Sequence, residues 1–261
     1  MIGRLLAVML KELDDVRRSR LILTTLVVPT VLYVLLSVVA LWVGSLPGQS
    51  AADVDAIERA MSRDPAVPGS AAFQSLLVDQ VLVLYMLAPL FIPLTIASYS
   101  IIGEKQVRTL EPLLATPIRT WELLVAKAVA ALVPGVLVSW ISYASFLILA
   151  AIQGNMEILW FAMGPVWLVS FGILSPLFAL LAVGMAVIAS ARTSDPRAAQ
   201  QLGAIIILPI SGLLTAQVFG LIRLDVSHAL LMSAVAALAD AALLWAAVRL
   251  FDRETILTRW R

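Results

Sequence analysis

Between two long apolar runs the chain carries GEKQVRTLEPLLATPIRTWELLVAK, residues 103–127, a stretch dense in charge and punctuated by two prolines. Glu104 and Arg108 stand in the acid-before-base order that favours an i, i+4 ion pair on a helix. Val107, Leu110 and Leu114 recur at i, i+3 and i+7 and form one apolar stripe. Pro112 would break a helix interior but is tolerated in a first turn. The pattern therefore predicts a short helix starting near Thr109, with Thr109 as N-cap and Glu111 favourable to the helix dipole. Pro117 ends that helix, and Thr120 with Glu122 opens the next one. An apolar stripe flanked by charge, braced by turns at both ends, is the chemistry of mechanical docking.

Catalytic chemistry has little to draw on. Cysteine is absent and histidine occurs once, which removes disulfides, thiolate nucleophiles and His/Cys metal centres. No paired carboxylates lie within the apolar runs, so an intramembrane enzyme is a weak reading. No G-x-x-x-x-G-K-[ST] phosphate loop is present, nor any Gly-Lys dipeptide, so the chain cannot build the cradle that holds ATP phosphates.

The elements that must position the docking stretch are membrane spans. The chain has 261 residues, 61% hydrophobic and 13% charged, where a soluble domain needs roughly a quarter charged. A helix crosses the hydrocarbon core with about 20 apolar residues. Six stretches qualify: 21–43, 81–102, 123–152, 166–191, 202–222 and 228–251. The first is too long for the apolar region of a cleaved signal peptide and reads as a retained span. All 18 lysines and arginines except Arg59, Arg63 and Arg223 fall on one side of this arrangement. The positive-inside rule makes that side, with both termini and the docking stretch, cytoplasmic. In residues 1–20, Leu5, Leu6, Met9, Leu13 and Val16 recur at helical spacing among charges, which predicts a helix lying in the cytoplasmic interface. Residues 44–80 form the one sizeable outward connection, a lid containing a short amphipathic helix over SAADVDAIERAMSRDP. The expected fold is all-α and integral to the membrane, with six spans, an N-terminal interfacial helix and one short cytoplasmic helix.

Polar groups inside the spans are few. Asp240 lies near the centre of the sixth span, where a charge costs about 3 kcal/mol on insertion scales and requires compensation. It is neutral, pairs with another span, or faces a watery cavity. Gln217 in the fifth span reads as an interhelical hydrogen bond ahead of a substrate contact. His228 reads as a solvated cap. Among the in-span prolines, each of which frees a carbonyl, Pro89 and Pro93 in the second span and Pro209 in the fifth are candidates for movement or for static kinks.

EKQVRTLEPLLATPIRTWELLVAK resembles the Gly-Thr-Leu-Glu, Leu-Leu-x-Thr-Pro-Ile and Glu-Leu-Leu-x-x-Lys pattern of ABC-2 type permeases, the membrane halves of ABC transporters whose ATPase is a separate chain. AAQQLGAIIILP at 198–209, KELDDVRRSR near the start and LFDRETILTRWR at the end also resemble that family. Arg108 departs from it, standing where glycine is usual, and Gln106 stands where a second acid is common. The resemblance implies that the docking stretch (103–119) is a coupling helix inserting into an ATPase cleft, with Glu104, Lys105, Arg108, Thr109, Leu110, Glu111, Leu114 and Thr116 as coupling residues. It implies that the second and fifth spans, with Pro89, Pro93 and Pro209, line the central path; Asp240 and Gln217 stand as translocation or interhelical groups on their own chemistry. It further implies a bacterial cytoplasmic membrane, two ATPase subunits carrying ATP and Mg, a second permease chain identical or homologous to this one, and no nucleic acid. The chain itself would bind no cofactor and no metal and would not be an enzyme. The implied function is export by alternating access. The competing function, from a different class, is transmission of force to a periplasmic or membrane partner without carrying a substrate.

Overall fold

The computed structural model describes residues 2–44, 69–106, 120–218, 222 and 225–250, all of them in helices or the turns between helices. Helix α1 covers Ile2–Arg18 and α2 covers Arg20–Gly44. The second span is built from α3 (Gly69–Tyr85) and α4 (Ala88–Gln106), and the third is α5 (Thr120–Ile152). A short α6 (Met156–Ala162) precedes the fourth span, which joins α7 (Pro165–Val169), a π-helical turn (Ser170–Leu174) and α8 (Ser175–Arg192). Then come α9 (Pro196–Gly203), a 3-10 turn (Ala204–Ile206), α10 (Ile207–Val218) and α11 (Val226–Leu250). Five helical stretches are long and apolar enough to cross a membrane, and a sixth is added if the bent pair α9/α10 counts as one span.

Two spans differ from the single rods that hydropathy suggests. The helix entering the second span begins at Gly69, well ahead of Val81, so part of the expected outward connection is helical. The rest of that connection, including the expected amphipathic helix, lies outside the described residues. The fifth span is bent by 49° between α9 and α10. Alone, the 12 residues of α10 rise about 18 Å, well short of the hydrocarbon thickness. Pro209 cannot donate to the carbonyl four residues back, and the 3-10 turn Ala204–Ile206 falls there. At the start of α9, Asp195 caps the helix by accepting from the backbone N–H groups of Arg197 and Ala198 (3.4 and 3.1 Å).

The second span is the centre of the bundle: 78% of its most apolar window is buried, against 17% for the first span and 22% for the sixth. Exposed Val27, Val31, Leu35 and Trp42 on α2, and Leu231, Val235, Leu238 and Trp245 on α11, suit hydrocarbon. Around the second span, Leu90, Ile92, Leu94, Ile96 and Ala97 of α4 pack with Phe178, Leu181, Ala182 and Ala186 of α8 in one core. A second core toward the other end gathers Leu82, Tyr85 and Met86 with Phe146, Trp167 and Phe171.

Two breaks inside the bundle are repaired by side chains of α5. Pro89 has no N–H to give the Tyr85 carbonyl, and Ser139 of α5 supplies the donor instead (3.2 Å). The Tyr85 hydroxyl donates to the Tyr33 carbonyl (3.1 Å) and pairs with Ser37 of α2. Within the π-helical turn, the Phe171 carbonyl accepts from the indole N–H of Trp140 (2.8 Å). Close approach is bought with glycine: a Cβ at Gly135 would collide with the Pro93 ring, its Cδ only 2.6 Å away. Gly154 ends α5 in the left-handed region, at φ 71°.

Gly135→Ala therefore forces α4 and α5 apart and should cost roughly 1–3 kcal/mol, as overpacking does. The thermal midpoint of the detergent-solubilised chain should fall, whereas Gly212→Ala, which meets open space, should leave it unchanged.

Candidate functional site

The charged end of the bundle holds the one dense polar constellation among the described residues. Ser100 and Glu104 sit one helical turn apart near the end of α4, so both face the same neighbours. Lys127 lies early in α5, and Lys11 with Glu12 lies on α1. Lys127 Nζ is 2.9 Å from Glu12 Oε1 and 2.9 Å from Glu104 Oε2. It also donates to Ser100 Oγ at 2.8 Å, and Ser100 donates to Glu12 Oε2 at 2.7 Å. Lys11 Nζ completes the ring, 3.0 Å from Glu104 Oε1 and 3.3 Å from Glu12 Oε1. The side chains of Lys127 and Glu12 are only 4% and 7% exposed and that of Glu104 is 12% exposed, so the pairs escape most solvent screening.

Burial raises the cost of each charge, and the neighbours reverse it. Burial pushes the Glu12 carboxyl up, but the Lys127 ammonium and the hydrogen bonds from Ser100 and Lys127 outweigh it and hold the group below its ordinary value. Burial pushes Lys11 down, while the hydrogen bond to Glu104 and the charges of Glu12 and Glu104 hold it above its ordinary value. Deleting one partner from such a buried pair typically costs roughly 3–5 kcal/mol, because the other charge is stranded.

The opposite side of α4 is tied as well. Lys105 Nζ donates to the Thr193 carbonyl (3.2 Å) and Gln106 Nε2 donates to the Ser194 carbonyl (2.9 Å), both in the turn between α8 and α9. Ile102 packs with Ala189 and Ala199 beneath them. The chain therefore leaves α4 at Gln106 and returns at Thr120 between two sets of anchors.

Of the coupling residues expected from sequence, Glu104 and Lys105 belong to this constellation. Arg108, Thr109, Leu110, Glu111, Leu114 and Thr116, with the short helix expected there, lie outside the described residues. The expected Glu104–Arg108 pair falls partly outside them too; within them, Glu104 is committed to Lys11 and Lys127. Pro89 and Pro93 are buried at the centre of the bundle, whereas Pro209 is exposed. Asp240 is buried on a stripe of α11 with Ala229, Ser233, Ala236 and Ala247, and no hydrogen bond reaches either carboxyl oxygen among the described residues. Gln217 is buried with its Oε1 likewise unpartnered. His228 is exposed, as expected, but the cap at the start of α11 is Asp225, whose Oδ1 accepts from the His228 backbone N–H (2.8 Å) and lies 2.8 Å from its Nδ1. No cluster of His, Asp and Glu able to hold a metal occurs among the described residues.

Sequence reasoning passed over Lys11, Glu12, Ser100 and Lys127 as members of one site. Lys127 entered only as an orientation charge and as the last letter of a motif. The available signal was Lys127 itself, a charge one turn inside an apolar run, which demands a carboxylate nearby.

A multi-pass helical membrane protein with a charge cluster where its second span ends and its third begins is the class that fold and site define. A family profile then places it: the profile for ABC-2 family transporter proteins matches residues 6–249, and the chain belongs to that family, as a membrane component of an ABC-2 transporter. No individual curated protein matched the sequence. Members of this family are typically non-catalytic membrane components that work with an ATPase partner.

Two outcomes follow from the geometry. Glu12 is depressed in the folded state, so its stabilisation is complete above the unfolded value of 4.5 and is lost as the pH falls through the lower folded value. Lys11 is raised, so its contribution is complete below 10.5 and is lost only at a still higher pH. Thermal unfolding followed against pH should show an acid limb beginning below pH 4.5 that Glu12→Gln weakens. Asp240→Leu should leave the thermal midpoint of the isolated chain unchanged or higher, because it exchanges an unpartnered buried polar group for an apolar one; a lower midpoint would mean that the carboxyl is paired within the chain.

Proposed function

We propose that this chain is the permease half of an ATP-driven exporter in a bacterial cytoplasmic membrane, with both termini and residues 103–119 on the cytoplasmic side. Two such halves, identical or homologous, form the complete membrane unit over two ATPase subunits that carry the ATP and Mg. The observation that carries this reading is the anchoring of the 107–119 segment. Glu104 on one side of it and Lys127 on the other are joined at 2.9 Å, and Lys105 and Gln106 are fixed to the α8–α9 turn. A segment that receives force needs a stiff mounting, and an ordinary surface loop does not.

On this reading Arg108, Thr109, Leu110, Glu111, Leu114 and Thr116 engage the ATPase, while Glu104 and Lys105 hold the base. ATP closes the ATPase pair, moves both coupling segments, and biases the spans between inward and outward exposure. A ligand drives such a switch only through differential affinity for the two states, and ATP at the ATPase interface supplies it. The bend between α9 and α10 and the proline-broken second span are the places where the spans can flex.

A second reading, force transmission to another protein without cargo, is favoured by one observation. The side chains that the second and fifth spans expose are largely apolar, among them Leu84, Phe91, Leu202, Ile205, Leu208 and Leu213, while Asp240 and Gln217 are buried within the chain. A transporter of polar cargo needs a wet path between the halves. Solvent accessibility of cysteines placed along the second and fifth spans in the assembled complex separates the two: a seam sealed in every nucleotide state would end the exporter reading.

The coupling assignment is tested by Glu111→Ala with Leu114→Ala. Co-purification with the ATPase subunit should be lost, and with it any stimulation of ATP hydrolysis by the permease. Unchanged binding would remove this segment from the mechanism.

A further inference from the structure

The charge cluster ties together three elements that the chain separates widely: Glu12 on α1, Glu104 on α4 and Lys127 on α5. One ammonium bridges two carboxylates that belong to different helices, and a second lysine, Lys11, bridges the same two carboxylates from the solvent side. Ser100 fills the remaining corner by accepting from Lys127 and donating to Glu12. Packing supports the arrangement, since α1 lies along α5 and α2, and Val16 of α1 is buried in the same core as α4 and α8.

We propose that Lys127, Glu12 and Glu104 form a clamp that stays closed throughout the working cycle and makes α1, the end of α4 and the start of α5 a single lever. A push received between Gln106 and Thr120 then moves the first, second and third spans as one body. Glu104 and Lys127 are positioning residues on this account: they pair with each other and with α1, and they act on the ATPase partner through the segment they hold. α1 becomes a working part of the lever. This inference rests on the coupling role proposed above, and it adds which helices move together and what locks them.

The test uses the absence of cysteine from the chain. Phe91→Cys places one thiol at an exposed position of the second span, and its rate of labelling by a maleimide is read in the permease–ATPase complex, in nanodiscs, with and without a non-hydrolysable ATP analogue. In the otherwise unaltered chain, nucleotide should change that rate. Lys127→Met keeps the unbranched shape of the side chain, one atom shorter, and removes the charge; the complex should still assemble and hydrolyse ATP, but the nucleotide-dependent difference in labelling should vanish. Lys127→Arg, which can still bridge both carboxylates, should restore it. If Lys127→Met does not fold, Glu104→Gln, which spares the Lys127–Glu12 pair, decides instead and should likewise lose the difference. A Lys127→Met or Glu104→Gln complex whose labelling still responds fully to nucleotide overturns the clamp. Failure of the unaltered chain to bind any ATPase overturns the functional reading instead, so the two failures are distinct.

Discussion

Hydrocarbon offers no hydrogen bonds, and nearly every feature of this bundle follows from that. A backbone N–H or C=O left open to lipid costs several kcal/mol, roughly the scale of a whole domain's stability. The chain meets the constraint with helices, and then meets it again wherever a helix fails. Pro89 would orphan the Tyr85 carbonyl, and Ser139 from the next span answers it. Trp140 answers the Phe171 carbonyl within the π-helical turn. These donors come from α5, so the third span serves as the splint for irregularities in its neighbours. Both of these repaired breaks lie where a second helix covers them, in the interior of the bundle. The α9/α10 bend is the exception in position, lying nearer the surface and the charged end.

The same solvent that forbids open backbone also forbids open charge, and the cluster around Lys127 is the result. An ammonium one turn inside a span has few tolerable environments; here it takes two carboxylates and a hydroxyl. The carboxylates in turn share Lys11. The desolvation cost of such a set is large, and apolar residues of similar volume would often be as stable or more so. What an apolar contact cannot supply is fixed register between particular atoms on three helices. That makes positional specificity a better account of the cluster than stability, and it is why the lever reading takes the charges as its starting point.

The sequence made the spans legible and left their internal breaks and tertiary pairings obscure, for physical reasons that differ by residue. Apolar runs of about 20 residues announce themselves because hydrocarbon thickness is a one-dimensional constraint. The N-terminal helix was legible from the spacing of Leu5, Leu6, Met9, Leu13 and Val16, and α1 is a separate helix ending before Ser19. The helical extension back to Gly69 was not, because GSAAFQS carries no hydrophobic period that separates helix from loop. The fifth-span bend had a visible cause in Pro209, but hydropathy sums across a bend without noticing it. The charge cluster was the least legible part of the site. Glu12 and Lys127 lie 115 residues apart, and no local rule joins them.

Charge at the membrane edge is usually read for orientation, and that reading hides a second use. Lys11, Lys105 and Lys127 each count once toward the positive-inside asymmetry, yet each also holds a specific acceptor: Lys11 and Lys127 the two glutamates, Lys105 the Thr193 carbonyl. Exposed arginines such as Arg17 and Arg18 satisfy the orientation rule as well, without reaching across to another helix in this way. For Lys127, whose side chain is 4% exposed, the distinction is burial. A cation that only orients the chain can stay in water, where pairing is worth at most about 1 kcal/mol. One that gives up its water, as Lys127 does, must be repaid by particular partners, and those partners fix where three helices meet. The charges bracketing the 107–119 segment therefore carry more mechanical information than the more numerous ones around them.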